Sequence, residues 1–157
     1  MAALTTSLFD EGAPEPCPRA FNAAAYCLSN SAKTHPDKTA LIVVSDPVSL
    51  EPAERWSFAQ LDDAVRRLAA GLKHMGLQPG ERVMLRLGNH SSFPLIFFAT
   101  LAAGAIAVPT SSQLTKREAR FIADDCGARF ICTSSDLKLD DVVEGCTQLL
   151  DDDIRDL

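Results

Sequence analysis

The chain has 157 residues, enough for one ordinary domain with a core of its own. Its 46% hydrophobic and 23% charged residues are typical of a globular protein, and no apolar run reaches the ~18 residues that a membrane-spanning helix needs. The net charge of −6 argues against a nucleic-acid partner, because phosphate binding requires clustered Lys and Arg.

The N-terminal part of the sequence combines an arm, a helix and a hairpin. Residues 1–18 contain Gly and Pro without periodicity and are predicted to be an irregular arm. Residues 21–35 are rich in Ala and predict a helix that ends before Pro36, with one face formed by Phe21, Ala24, Ala25 and Leu28. The β-branched run at residues 39–44 predicts a strand, and residues 54–58 can return as the second strand of a hairpin.

The best-marked element of the sequence is the helix that follows this hairpin. Residues 57–60 have the form of a capping box, in which the side chains of Ser57 and Gln60 satisfy free N–H groups at the helix start. Gly76 suits a left-handed C-terminal cap. Between them, apolar residues recur at helical spacing: Leu61, Ala64, Val65, Leu68, Leu72 and Met75. A Pro-Gly turn then leads into a predicted strand at residues 83–87.

The remaining elements alternate between helix and strand. Residues 91–104 are apolar on all sides and predict a largely buried helix, followed by a short buried strand at residues 105–109. A second capping box at residues 115–118 starts a helix that ends at Gly127. Its inner face is expected to carry Ala119, Ile122, Ala123 and Cys126. A strand is predicted at residues 129–133, and residues 147–150 are a candidate for one more.

Three strands separated by helices define the predicted fold class. Such β-α-β-α-β units form parallel strands with right-handed crossovers, so we expect an α/β fold with a mainly parallel sheet and flanking helices. We place this α/β subdomain within residues 19–135. Residues 136–157 carry eight acidic and two basic side chains and form a separate acidic C-terminal segment, which we expect to be solvated.

The cysteines predict a reducing environment. None of the five lies in a CxxC pair, and an odd number cannot pair completely, so we expect free thiols. Cys126 and Cys132 are expected at a helix end and in the next strand, as small packing residues. The N-terminus has no secretory signal, which predicts a cytoplasmic protein. The three histidines are far apart in the sequence, so no metal site is predicted.

Two loops follow strand ends and are the candidate ligand sites. In open α/β sheets, ligands bind outside the carboxyl ends of the strands, where residues 88–92 and Thr110, Ser111 and Ser112 are expected. Neither loop has the Gly-rich pattern or the Lys of a phosphate loop. Hydroxyl residues before a helix also serve as turn and capping residues, and we favour that role here. His90 is the one histidine in such a loop, and we favour a surface hydrogen-bonding role for it over ligand contact.

The sequence resembles a known family over roughly residues 20–135. Trp56-Ser57-Phe58-Ala59-Gln60-Leu61 is similar to the first core motif of AMP-forming acyl-CoA synthetases, in the adenylate-forming ligase superfamily. Residues 101–109, LAAGAIAVP, resemble the second motif, and residues 114–129 resemble the helix and strand that follow it. Within the superfamily, residues 86–114 are most similar to medium-chain or benzoate-type acyl-CoA ligases.

The resemblance implies an activity for a longer parent protein. Such enzymes use ATP and magnesium to convert a carboxylic acid to an acyl-adenylate and pyrophosphate, and then transfer the acyl group to CoA. Their phosphate loop and C-terminal lysine would follow residue 157. The chain is therefore expected to be a truncated piece, inactive alone, without catalytic residues or bound cofactor of its own. Its partners would be the remainder of the large domain and the C-terminal domain, with self-association of the fragment possible. The alternative is a free-standing protein-interaction module with the same fold.

Overall fold

A computed structural model of the chain describes residue 18, residues 20–46, residue 48, residues 51–142 and residues 144–155. Apart from residue 18, the expected arm lies outside the described residues. The strands are β1 (Thr39–Val44), β2 (Pro52–Ser57), β3 (Arg82–Arg86), β4 (Ile106–Pro109), β5 (Ala128–Thr133) and β6 (Thr147–Leu150). The helices are α1 (Asn30–Thr34), α2 (Phe58–His74), α3 (Ser92–Ala102), α4 (Lys116–Cys126) and α5 (Asp151–Arg155). Among them, no helix has the length and apolar character needed to cross a bilayer.

Two sheets organise the molecule. β1 and β2 pair antiparallel, which confirms the predicted hairpin. The other four strands form a sheet in the order β4-β3-β5-β6, in which every neighbouring pair is parallel. The predicted α/β class is therefore confirmed, and the candidate strand at residues 147–150 is present. Because all four strands run in one direction, their carboxyl ends lie along the same edge of the sheet.

The alternation of β3 side chains divides the core between the two faces of this sheet. Val83 and Leu85 pack on the face covered by α2 and α3, whereas Met84 packs on the face covered by α4. All three are fully buried, at 0% exposure. Phe130 and Cys132 on β5 join the first cluster and Ile131 joins the second, since successive residues of a strand point to opposite faces. Helices thus cover both faces, as expected for a parallel sheet.

Both predicted capping boxes are present. At the start of α2 the Ser57 N–H donates to Gln60 Oε1 at 2.9 Å, and the Gln60 N–H donates to Ser57 Oγ at 3.3 Å. Thr115 and Glu118 make the same reciprocal pair at the start of α4, at 2.9 and 3.3 Å. The backbone N–H of Thr115, and then its hydroxyl, lower the pKa of Glu118 below its ordinary value. At the other end, α4 stops at Gly127 as predicted, and this residue has a left-handed φ of 59°.

The prediction of a buried strand at residues 105–109 is wrong in one respect. β4 forms at Ile106–Pro109, but it is the edge strand of the sheet, and both of its terminal residues are exposed. Ile106 is 50% exposed. A strand at the edge has a neighbour on only one side, so its apolar side chains are not enclosed as those of β3 are. The position of β4 depends on strand order, which the local apolar pattern does not encode.

The predicted inner face of the first helix is also only partly correct. Ala24 and Leu28 are buried, but Ala25 is exposed and Phe21 is 60% exposed. Phe21 precedes the helix, because the side chain of Asn22 accepts a hydrogen bond from Ala25 N at 3.1 Å and marks its start. The turn at Ala25–Ser29 is also a wider π-helical one, which changes the spacing of residues that share a face.

The acidic C-terminal segment joins the sheet within the part of it that is described. Leu139, Leu149 and Ile154 are buried, at 2%, 6% and 3% exposure. The Gln148 side chain accepts from Leu139 N at 2.9 Å and donates to Leu139 O at 3.2 Å, which fastens the preceding loop to β6. The exposed residues of the segment include Asp140, Asp141, Asp152 and Asp153. These carboxylates are therefore solvated as expected, while Leu139, Leu149 and Ile154 complete the core.

Candidate functional site

The candidate site lies at the carboxyl edge of the parallel sheet. β3 ends at Arg86 and β4 at Pro109, and Leu85 is paired with Pro109 in register. Arg86 is likewise paired with Thr133 at the end of β5. The loops after β3 and after β4 therefore emerge side by side, as the sequence predicted. The fold thus brings the two predicted loops, residues 88–92 and residues 110–112, to one edge.

The loop after β4 uses two of its hydroxyl groups to bind backbone atoms, one in β3 and one within the loop itself. Thr110 donates twice to the carbonyl of Leu85, through its N–H and its Oγ1, both at 2.9 Å. Ser111 Oγ accepts from Gln113 N at 3.1 Å. Ser112 is half-buried in the same turn. The turn role is therefore observed for Ser111, whereas Thr110 ties the end of β4 to β3. Helix capping belongs to Thr115, three residues after Ser112.

The loop after β3 turns without the help of its hydroxyl groups. His90 is exposed, its N–H donates to Gly88 O at 3.0 Å, and its carbonyl accepts from Phe93 N at 3.2 Å. Ser91 is the N-cap residue of α3, yet its side chain makes no capping hydrogen bond. Its backbone is already helical, with φ −59° and ψ −27°, whereas a capping serine is extended. The capping role predicted for this loop is therefore wrong at Ser91.

Gly88 allows the His90 ring to lie against the backbone of this loop. A Cβ atom on Gly88 would come within 3.0 Å of His90 Nε2. Asn89, His90 and Phe93 also line a cavity of about 250 Å³ together with the residues of β1. His90 thus lines a cavity beside β1, whereas the Thr110 and Ser111 hydroxyls are bonded to Leu85 and Gln113. The two loops lie at one edge of the sheet, but among the described residues no side-chain hydrogen bond joins them.

Arg86 is the feature of this edge that the sequence interpretation missed. The side chain is 3% exposed, and its guanidinium donates to Leu137 O and, at 2.5 Å, to Leu114 O. Its Nε has no hydrogen-bond partner, and no ion pair to Arg86 is present among the described residues. The signal was a charged residue inside the apolar run of β3. Arg86 therefore joins the segment after β5 to the segment before α4.

Two of the described cysteines occupy the packing positions that the sequence predicted. Cys126 ends α4 and Cys132 is fully buried in β5, as predicted, while Cys27 is exposed and Cys146 half-buried. All four are free thiols, and Cys17 lies outside the described residues. Burial raises the pKa of Cys132 from 9.0 to about 12, and burial also raises the pKa of Cys126 and Cys146. In the described part of the chain, no group of three His, Cys, Asp or Glu side chains could hold a metal ion.

The family is established by comparison with known proteins. Residues 28–156 match the model of the AMP-binding enzyme family, and the chain belongs to that family. This agrees with the resemblance carried by the motifs at residues 56–61 and 101–109. The chain corresponds to part of an adenylate-forming ligase, in the α/β subdomain that the resemblance implied.

Individual relatives are ligases and synthetases. The chain is 38% identical to the salicyl-AMP ligase/salicyl-S-ArCP synthetase of Mycobacterium tuberculosis, over 60% of this chain and 18% of that protein. It is 29% identical to the 4-hydroxybenzoate–CoA/benzoate–CoA ligase of Rhodopseudomonas palustris, over 55% of this chain and 16% of that protein. The chain thus spans less than a fifth of the length of either relative.

A solved structure shows the same fold. The O-succinylbenzoate coenzyme A synthetase of Bacillus subtilis, in complex with AMP, superposes with a TM-score of 0.72 and 22% identity. The match covers 83% of this chain and 32% of that one. At this level of identity the likeness establishes the fold alone. The region described here is one part of a larger ligase chain in that structure.

Proposed function

We propose that this chain is part of an AMP-forming acid–CoA ligase that acts on a medium-chain or aromatic carboxylic acid. Such a protein forms an acyl-adenylate from the acid and ATP with release of pyrophosphate, and then transfers the acyl group to the CoA thiol with release of AMP. The family match supports the ligase class. The names of the salicyl and benzoate relatives support an aromatic acid. The four free thiols among the described residues support a reducing, cytoplasmic location.

One observation carries the proposal that this chain is only part of such a ligase: the polar groups at the carboxyl edge of the sheet are bonded within the fold and are not arranged to bind ATP. The Thr110 hydroxyl is bonded to the Leu85 carbonyl in β3, and the Ser111 hydroxyl to the Gln113 N–H in the same loop. Neither candidate loop contains a Lys. Adenylation needs several donors placed around the phosphates to stabilise charge in the transition state. These loops do not fit the triphosphate of ATP, so nucleotide, magnesium and CoA would be held by other parts of a longer ligase.

The proposal assigns this chain a supporting role within such a ligase. Its partners would be the remainder of the large domain and the C-terminal domain. His90, Thr110, Ser111 and Ser112 could then contact a ligand only from one side of a site completed elsewhere. The subdomain boundary at residue 135 belongs to the same proposal, with the acidic segment packed against the subdomain through β6.

A second function, a protein-interaction module, is favoured by one observation. The acidic segment presents exposed carboxylates at Asp140, Asp141, Asp152 and Asp153. A surface of one charge sign can recruit a basic partner. This function needs no chemistry from the chain, and it predicts that no extension of the chain would confer ligase activity.

Acid-dependent exchange of pyrophosphate into ATP separates the two functions. We expect no exchange by the 157-residue chain with any carboxylic acid, and ATP binding no tighter than millimolar. A longer chain, joined to the remaining parts of a related ligase, should catalyse exchange with benzoate or a medium-chain acid. In that longer chain, Ser111→Ala should change the exchange rate little, because the Ser111 hydroxyl serves a turn.

Two results would contradict the ligase proposal in different ways. Exchange by the 157-residue chain alone would show that the catalytic groups lie within it. No exchange by a folded longer chain, across a panel of aliphatic and aromatic acids, would favour the interaction module. Folding of the longer chain is checked by near-ultraviolet circular dichroism before either conclusion is drawn.

A further inference from the structure

A second cavity, lined in part by Ser91 and Ser92 at the end of the loop after β3, lies between the hairpin and three helices. Its volume is about 370 Å³, within the range of small-molecule pockets. Trp56 of β2, Leu68 of α2, Leu95 of α3 and Ile154 of α5 form its apolar wall. Leu68, Leu95 and Ile154 are themselves buried, so the wall is part of the core and its shape is fixed by packing.

The two charged side chains on the wall of this cavity do not favour a charged ligand. Arg67 and Glu54 are opposite in sign. The Arg67 guanidinium is bound to the Asp63 carboxylate at 2.8 Å, and Glu54 Oε2 accepts from Trp56 Nε1 at 2.9 Å. Because both charges already have partners, a charged ligand would have to displace one of them or remain unpaired in a partly apolar site. The cavity therefore favours a neutral molecule.

Two serine side chains at the start of α3 supply the uncharged polar groups of the cavity wall. Ser91 and Ser92 both line the cavity and are 4% and 3% exposed. The Ser91 side chain makes no capping hydrogen bond, and Ser92 Oγ has no partner among the described residues. A buried hydroxyl without a partner is unfavourable. A serine hydroxyl moves between three staggered positions by rotation about one bond, so it can turn toward a ligand atom.

We propose that this cavity binds a neutral, single-ring organic molecule that carries one amide or carbonyl group. The ring packs against Trp56, Leu68 and Leu95. The polar group takes its hydrogen bonds from Ser91 and Ser92, and its oxygen lies at the N-terminus of α3, where the helix dipole favours partial negative charge. This site is independent of the proposed ligase chemistry and requires neither ATP nor any other part of a ligase.

Benzamide tests the proposal on the 157-residue chain. Trp56 is the only tryptophan of the protein, so its fluorescence reports directly on the filling of the cavity. We expect saturable binding of benzamide at millimolar concentration. Benzoate, which is charged, and toluene, which has no hydrogen-bonding group, should each bind at least about fivefold more weakly, the effect of one hydrogen bond or more.

Three variants identify the site. The double variant Ser91→Ala, Ser92→Ala should weaken benzamide binding by about fivefold and leave toluene binding unchanged. Ser111→Ala, in the other strand-end loop, is the matched control and should bind benzamide as the parent chain does. Ala64→Leu places a larger side chain on the cavity wall and should abolish the fluorescence change. Circular dichroism confirms that each variant is folded.

The proposal is overturned by any of three results. Benzamide could leave Trp56 fluorescence unchanged throughout the millimolar range, which would mean that water or another part of a longer chain fills the cavity. Benzoate could bind more tightly than benzamide, which would show that the charge argument is wrong. Benzamide could bind equally to the parent chain and to Ala64→Leu, which would place the ligand elsewhere. None of these results bears on pyrophosphate exchange.

Discussion

Arg86→Lys tests whether one buried guanidinium holds the carboxyl edge of the sheet together. Arg86 donates to carbonyls in two separate segments, at Leu114 and Leu137, from a side chain that is 3% exposed. Lysine keeps the positive charge but has a single nitrogen, so it cannot reproduce a planar fork that reaches both carbonyls. One carbonyl should therefore lose its charged donor.

The expected loss of stability follows from these two contacts. A hydrogen bond from a charged donor contributes about 1.5–3 kcal/mol, so the loss of one should cost about 2 kcal/mol, a roughly 30-fold change in the unfolding equilibrium. In urea, with a slope of about 2 kcal/mol per molar, the unfolding midpoint should fall by about 1 M. Trp56 fluorescence monitors the transition.

Hydrogen exchange distinguishes a local role of Arg86 from a general loss of stability. In Arg86→Lys, amides at residues 110–115 and 134–139 should exchange faster relative to those of β3 and β5. Arg117→Lys, on the exposed side of α4, is the control and should leave both measurements unchanged. An Arg86→Lys protein with the urea midpoint and exchange pattern of the parent chain would refute the assigned role.

Three further outcomes are expected. The raised pKa of Cys132 shows that the fold favours the neutral thiol, so the stability that this thiol contributes should be complete below pH 9 and be lost as the pH rises toward about 12. Urea unfolding midpoints measured at increasing pH test this, with Cys132→Ala as the control. Thr115→Ala should remove the α4 capping box and lower the free energy of unfolding by about 1 kcal/mol. Thr34→Ala, in the short α1, should lower it by less, and equal losses would contradict the capping role of Thr115. The exposed edge of β4 should promote self-association at tens of micromolar, and Ile106→Lys should reduce it in light scattering; association unchanged by that substitution would place the contact elsewhere.

The elements most accurately predicted from the sequence were those fixed by neighbouring residues. Both capping boxes join residues three apart, so a four-residue pattern contains all the information that the structure later shows. The apolar spacing of α2 likewise predicted the burial of Leu61, Val65 and Leu68. The alternation of helix and strand was sufficient for the α/β class, because parallel strands require such crossovers.

Features that depend on distant partners could not be obtained in this way. The exposure of Ile106 follows from the placement of β4 at the sheet edge, which is decided by the packing of other strands. The partners of Arg86 lie 28 and 51 residues further along the chain. In the candidate site, the sequence correctly placed the loops at one edge. It could not show that Thr110 turns back to Leu85, or that Ser91 and Ser92 face a cavity rather than cap a helix.

The position of β6 has a consequence for the order in which the protein can fold during synthesis. β3, β4 and β5 with their helices are complete once Thr133 has left the ribosome, but the outer edge of β5 then has no strand beside it. It remains open until residues 147–150 emerge and Gln148 binds Leu139. During that interval an apolar strand edge is available to other nascent chains, a known route to aggregation. The many carboxylates that surround β6 in the sequence would keep such intermediates apart by charge repulsion, so the acidity of this segment can protect the chain before the fold is complete.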